Sequence, residues 1–361
     1  MADPRVKNLA KILAGYSLPV KRGNVVTVSG ETPAEPLIVA VYEELLKKGA
    51  FPVVHMMPAG IDELFFAHAR PHHLSTLTPY SVAVARNTDA SIMIYAQSNT
   101  RSLSGVPPGK YTKRARTMRP LAEMRRKRPW LLTLYPTQAY AQDAEMSLTD
   151  FEDFVYGATF ADRKDPIAAW KALSIRQAKL VSKLRNADEV RIVGPGTDLK
   201  LSVKGRKFIN SDGSAHNMPS GEIFAAPVAG SADGCIEYDL PACYRGREVT
   251  GVRLVFRKGV VVEATADKGQ RFLRSMADAD KGARRLGELG IGTNTRIDRF
   301  TKNILFDEKI GGTVHLALGS APLGTGGRNR SAIHWDMIKD LRKGGAIYVD
   351  GKLFQKDGRF R

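Results

Sequence analysis

Cysteine is almost absent: Cys235 and Cys243 are the two thiols in 361 residues. Two thiols cannot build a disulfide framework, and neither has the clustered Cys or His neighbours of a structural zinc site. A reducing, cytoplasmic setting is therefore expected. Long apolar runs are missing too, since none reaches the roughly 18 residues of a membrane-crossing helix. The opening MADPRVKNLAKILAGYSL has no apolar core followed by a small-residue cleavage site, so a soluble, unprocessed protein is expected. No GxGxxG follows the first predicted strand and no GxxxxGK occurs anywhere, which removes the usual phosphate-cradling loops. Acidic residues are also in short supply: 37 against 55 Lys and Arg leaves a net charge of +18. Such a charge raises nucleic acid or an acidic surface as a partner. Half of it sits in residues 101–130, where ten bases face the single acid Glu123. The run Lys113–Arg128 has no interleaved aromatic side chains and no RNA-binding signature. This disfavours nucleic acid and favours a solvated basic helix.

What is present is the composition of a folded enzyme-sized chain, 43% hydrophobic and 25% charged, enough for two globular domains. The first half alternates strand and helix. GNVVTVS (23–29) reads as a buried strand, and Thr32-Pro33 opens a helix that runs to Lys48 and stops at Gly49. The stretches 51–57, 91–96 and 130–135 make further strands, separated by helical segments long enough for parallel crossovers. This predicts an N-terminal doubly wound α/β domain over 1–187, closed by an amphipathic helix over 166–187. After 188 the pattern changes to short β segments with Gly-rich turns and one helix near 268–278, predicting an α+β domain over 188–361.

Histidine is scarce, with seven in the chain. His55, His68, His72 and His73 lie in the first half without a ligand pattern, whereas His216, His315 and His334 fall in the second half beside carboxylates and glycines. In SAIHWDMI, His334 and Asp336 are two apart, so an extended segment projects both from one face. Alone, an HxD also fits a polar strand end. In GGTVHLALG, His315 faces opposite to Val314, Leu316 and Leu318, which also fits a hydrogen-bonded core histidine. Glu222 follows a Pro-Ser-Gly turn, and Glu288 sits between glycines that permit close approach of a ligand. Either could be an ordinary exposed glutamate. Together Glu222, Glu288, His315, His334 and Asp336 suit a pair of divalent cations such as zinc, cobalt or manganese. Two such ions polarise a carbonyl and generate a hydroxide nucleophile at neutral pH.

These segments carry a resemblance. TLYPTQAYAQDAEMSLTDFEDFVY in the first half, and NMPSGEIF, GELGIGTN, FTKNILFDEKIGGTVHLALG and SAIHWDMIKDL in the second, resemble the thermophilic aminopeptidase T (leucyl aminopeptidase-like) family of metalloaminopeptidases. The motifs occur in order over nearly the whole chain. The resemblance implies a homodimeric, two-domain metallohydrolase that removes N-terminal residues from peptides, with two divalent cations in the second domain. Position by position it assigns the metal ligands to Glu222, Glu288, His315, His334 and Asp336, with Glu222 and Glu288 also available for proton transfer.

One position departs from the pattern. The family typically has a tyrosine seven residues after the first ligand histidine, and this chain has Pro322, which offers no side-chain or backbone donor. Tyr244 is one conceivable replacement for the phenol. The departure keeps open a divergent metalloenzyme of the same fold, acting on a non-peptide amide or cleaving an aromatic ring with oxygen. Distant relatives of the ring-cleaving kind resemble 2,5-dihydroxypyridine dioxygenase and lack the glutamate of NMPSGE. Retention of both glutamates here favours two metals and hydrolysis.

Overall fold

The computed structural model describes residues 3–244 and 246–361. Contacts divide the chain into two compact units, Met1–Ala169 with Gly213–Pro219, and Trp170–Asp212 with Ser220–Arg361. The chain is mixed α/β, with a parallel sheet in the first unit and antiparallel sheets in the second.

In the first unit, β1 (Val25–Glu31), β2 (Phe51–Met57), β3 (Ala90–Tyr95) and β4 (Trp130–Leu134) pair in parallel in the order β2-β1-β3-β4. A short strand, His216–Met218, returns from later in the chain to pair with β4. Helix α1 (Glu35–Lys47) connects β1 to β2. Proline at the start and Gly49 in the left-handed region at its end (φ 74°) delimit it, as the sequence predicts. Its Leu37, Ile38, Val41 and Leu45 are buried, as are Val26 and Val28 of β1.

Helix α2 (Pro108–Arg126) contains most of the basic run. Lys110 Nζ donates to the Phe66 carbonyl at 3.0 Å, and Arg114 donates to the His73 and Thr76 carbonyls. Leu121 is buried, while Lys113, Arg116, Arg119, Arg125 and Arg126 are exposed. The helix is thus anchored by a few residues on one side and solvated on the other. No helix among the described residues is long and apolar enough to cross a membrane.

Helix α3 (Pro166–Leu184) follows. Its C-terminal residues Leu180, Val181 and Leu184 pack on the core of the second unit, so the contact division falls at 169/170. The sequence pattern changes only near 187, because it registers where strands begin and not which core a helix joins.

The second unit holds an eight-stranded antiparallel sheet built from residues 189–202, 233–237, 253–265 and 346–360. A second antiparallel sheet consists of β5 (Ile209–Ser211), β6 (Glu222–Ala225), β7 (Leu286–Gly292), β8 (Thr313–Gly319) and β9 (His334–Asp340), in the order β9-β8-β7-β6-β5. Val190, Ile192, Leu254 and Phe256 of the larger sheet share one core with Leu289, Leu316 and Trp335 of the smaller. Strands β7 and β8 are buried on both faces, which explains their near-continuous apolar and glycine composition.

Candidate metal centre

The strand register places the five predicted ligands on one face of the smaller sheet. Directly opposed residues share a face, and so do residues two apart on one strand. Glu222 lies opposite Gly292, His315 opposite Gly290, Glu288 opposite Ala317, Asp336 opposite Ala317 and His334 opposite Gly319. Glu288 reaches this face through a bulge: Leu286 pairs with Leu318 and Glu288 with Ala317, so Gly287 is the extra residue. The bulge turns Glu288 away from the core face that holds Leu286 and onto the face of His315, as one extra residue in a strand does. The opposite face carries Val314, Leu316, Leu318 and Trp335 into the core.

Glycine at 290 is required by contact. A Cβ there would stand 2.0 Å from His315 Nε2, so the imidazole lies across the backbone of β7 where only hydrogen fits. Gly221, with φ 117°, turns the chain into β6, and a Cβ on it would meet Asn294 Cβ at 2.5 Å. Asn294 Nδ2 donates to the Ser220 carbonyl, which fixes the same turn. From α3, the fully buried Gln177 donates Nε2 to the carbonyls of Glu222 (2.7 Å) and Ser211 (3.1 Å).

The side chains converge. His315 Nε2 is 3.2 Å from Glu222 Oε2 and 3.5 Å from Glu288 Oε1, and His334 Nε2 is 3.4 Å from Glu288 Oε2 and 3.3 Å from Asp336 Oδ2. Two ligand sets result, Glu222/Glu288/His315 and Glu288/His334/Asp336, with Glu288 common to both. His334 Nδ1 lies 2.8 Å from the Ser320 carbonyl. A carbonyl only accepts, so Nδ1 carries the hydrogen and Nε2 is the nitrogen turned to the carboxylates.

Buried atoms in the cluster lack hydrogen-bond partners among the described residues: Glu222 Oε2, both nitrogens of His315, and Asp336 Oδ1. Orphaned carboxylate and imidazole atoms are costly in a protein interior, and a divalent cation among them would satisfy all three side chains. The residues therefore fit the metal. Burial pushes the Glu288 carboxyl up. Burial opposes charge on His334 as well, but Asp336 and Glu288 outweigh it and push that imidazole up to about 11. Burial likewise raises Asp336, yet His334 holds it down at about 2.

Two neighbours were not singled out by sequence reasoning. Glu308 forms a third convergent set with His315 and Asp336, and the fully buried Lys309 places Nζ 3.6 Å from Glu222 Oε1. In the sequence, FDEKIGG reads as a charged turn, and nothing local announces its burial.

Two other residues raised by the sequence, His216 and Tyr244, are not in these convergent sets. His216 lies in the short strand beside β4, its ring 4.7 Å from that of Trp130. Tyr244 stacks on Trp335 at 5.3 Å, and Trp335 points to the face opposite His334 and Asp336, so Tyr244 packs on the core side. Pro322 sits in a turn, its carbonyl accepting from Thr325 Oγ1, and supplies no donor.

Comparison with known proteins agrees with this architecture. The chain is 26% identical to aminopeptidase T of Thermus thermophilus, over 96% of this chain and 95% of that one. It is 26% identical to aminopeptidase PepS of Streptococcus thermophilus, over 92% and 91% of the two chains. It is 32% identical to aminopeptidase 2 of Geobacillus stearothermophilus over about half of each, 53% and 51%. The solved structure of wild-type AmpT from Thermus thermophilus superposes with a TM-score of 0.86 at 24% identity, covering 99% of this chain and 98% of that one. A sequence profile of the thermophilic metalloprotease (M29) family matches residues 2–360, and on that whole-chain match the protein belongs to the M29 metallopeptidases.

Proposed function

We propose that this chain is an aminopeptidase that releases N-terminal residues from peptides at a two-metal site held by Glu222, Glu288, His315, His334 and Asp336. The observation that carries the reading is the pair of ligand sets sharing Glu288 on one sheet face. Zinc, cobalt and manganese all suit carboxylate and imidazole ligands. When bound, two such ions polarise the scissile carbonyl and acidify a water. The chain's own contribution is positional. Glu288, with its two oxygens turned to different histidines, sets the spacing of the two sets. Glu222 or Glu288 would carry the proton to the departing amine, as a carboxylate within hydrogen-bond reach can.

The homodimer implied by the family resemblance is proposed as well. Support comes from the sheet edge strand β2, where Phe51, Val53, Val54, Met56 and Met57 are exposed apolar side chains. A cytoplasmic location is proposed from the scarcity of cysteine, Cys235 and Cys243 being the two in the chain.

Pro322 favours a second reading, in which the scaffold and its ions act on a non-peptide amide or an aromatic substrate. Hydrolysis of a panel of aminoacyl anilides by chelator-stripped protein, with and without cobalt, zinc or manganese, separates the two. Metal-dependent release of the anilide is the expected result. Silence from folded protein that rebinds metal, together with oxygen consumption on an aromatic substrate, would select the second reading.

A further inference from the structure

The metal cluster contains a cation of its own. Lys309 follows the short helix Ile304–Asp307 and is wholly buried. Its Nζ is paired with Glu308 and stands 3.6 Å from Glu222 Oε1. Glu308 in turn converges with His315 and Asp336. Four carboxylates, Glu222, Glu288, Glu308 and Asp336, are thus crowded around two imidazoles and one ammonium. A second buried lysine gives the contrast: Lys339 Nζ donates to the Pro195 carbonyl and to Asp239, each at 2.9 Å, and has no contact with the cluster among those described.

Carboxylates gathered in a low-dielectric interior repel one another unless a positive charge lies among them. We propose that Lys309 is a built-in counter-cation of the metal site, which holds Glu222 and Glu308 together before metal arrives and weakens metal binding once it has. By engaging Glu222 at Oε1 the ammonium leaves Oε2 turned to His315. By pairing with Glu308 it keeps that carboxylate out of the five-residue ligand set. Lys309 is a positioning residue in this account, and the account rests on the metal-site reading.

The test compares metal-free and zinc-loaded protein in thermal melts, with zinc affinity measured by competition against a chelator. In Lys309→Met the metal-free form melts lower than wild type. Its gap between metal-free and loaded melting widens, and its zinc affinity tightens on the order of tenfold or more, because a nearby positive charge has gone. Adding Glu308→Gln removes the excess negative charge and brings affinity back towards wild type. Lys339→Met, by contrast, lowers both melts equally and leaves affinity unchanged. If Lys309→Met lowers both melts equally with unaltered zinc affinity, or binds zinc more weakly, the proposal is overturned. Should Lys309→Met not fold, Glu308→Gln alone decides: weaker zinc binding supports the proposal and unchanged binding overturns it. Wild-type protein that binds no zinc would instead overturn the metal-site reading itself.

Discussion

A hydrogen at one position decides whether the site can form. Gly290→Ala puts a methyl group where the His315 ring lies, at a 2.0 Å contact that neither strand can relieve without moving. The expected outcome is a folded protein whose metal affinity falls roughly 10- to 100-fold, as for other changes that misplace a ligand; calorimetric titration checks it, and wild-type affinity would refute the geometry. Gln177→Leu acts from the other side of Glu222. It removes the buried side-chain donor to the Glu222 carbonyl, whereas the Ser211 carbonyl keeps the Gly221 amide and the Ser220 hydroxyl. A loss of roughly 1–3 kcal/mol in denaturant unfolding is expected. The five candidate ligand positions were legible in the sequence chiefly as a set carried by the family resemblance, since taken singly each also fits an ordinary strand-end, core or surface residue. Gln177, Glu308 and Lys309 were not, because a glutamine within a long amphipathic helix and an acid–base pair in a turn look like ordinary surface. Their roles follow from burial, which only the packed chain reveals.

At the scale of elements, β1 to β4 and α1 follow from hydrophobic runs and helix-end signals, and they appear within a few residues of the predicted bounds. The return of His216–Met218 to the first sheet was not legible, since three residues carry no periodicity. The bulge at Gly287 was hidden for a similar reason: alternation alone would put Leu286 and Glu288 on one face. The approach to β9 depends on another local device. Asp280 accepts from the Gly282 and Ala283 amides with Oδ1, and from Ser331 Oγ and the Ala332 amide with Oδ2, tying the loop two residues ahead of His334. Burial tends to raise its pKa, but these donors outweigh burial and hold the carboxyl below its usual 3.8. A carboxyl depressed in the folded state contributes stability that is present above pH 3.8 and lost as pH falls through the folded value. Wild-type melting temperature should therefore drop in that acid range. Asp280→Asn should melt lower than wild type at pH 7 and show a shallower acid decline; parallel curves would argue against the assignment.

At the scale of the whole molecule, a net charge of +18 bears on how charged substrates approach. Helix α2 concentrates that charge. Lys113, Arg116, Arg119 and Arg126 are exposed along it, and among them Arg119 is the one whose ion pair, with Glu123, lies on the helix itself. A field of this sign raises the encounter rate of anionic peptides and does nothing for neutral ones, and salt screens it over about 10 Å at 0.1 M. For peptides sharing an N-terminal residue, kcat/KM on those with acidic residues downstream should fall several-fold between low and high salt, while neutral peptides change little. Replacing Lys113, Arg116 and Arg126 with Gln should flatten the salt dependence for acidic peptides and leave neutral anilide hydrolysis intact. Equal salt responses for acidic and neutral peptides would show that the charge serves some other surface than substrate capture, whereas loss of neutral hydrolysis in the helix variant would show that α2 supports the fold and not the encounter.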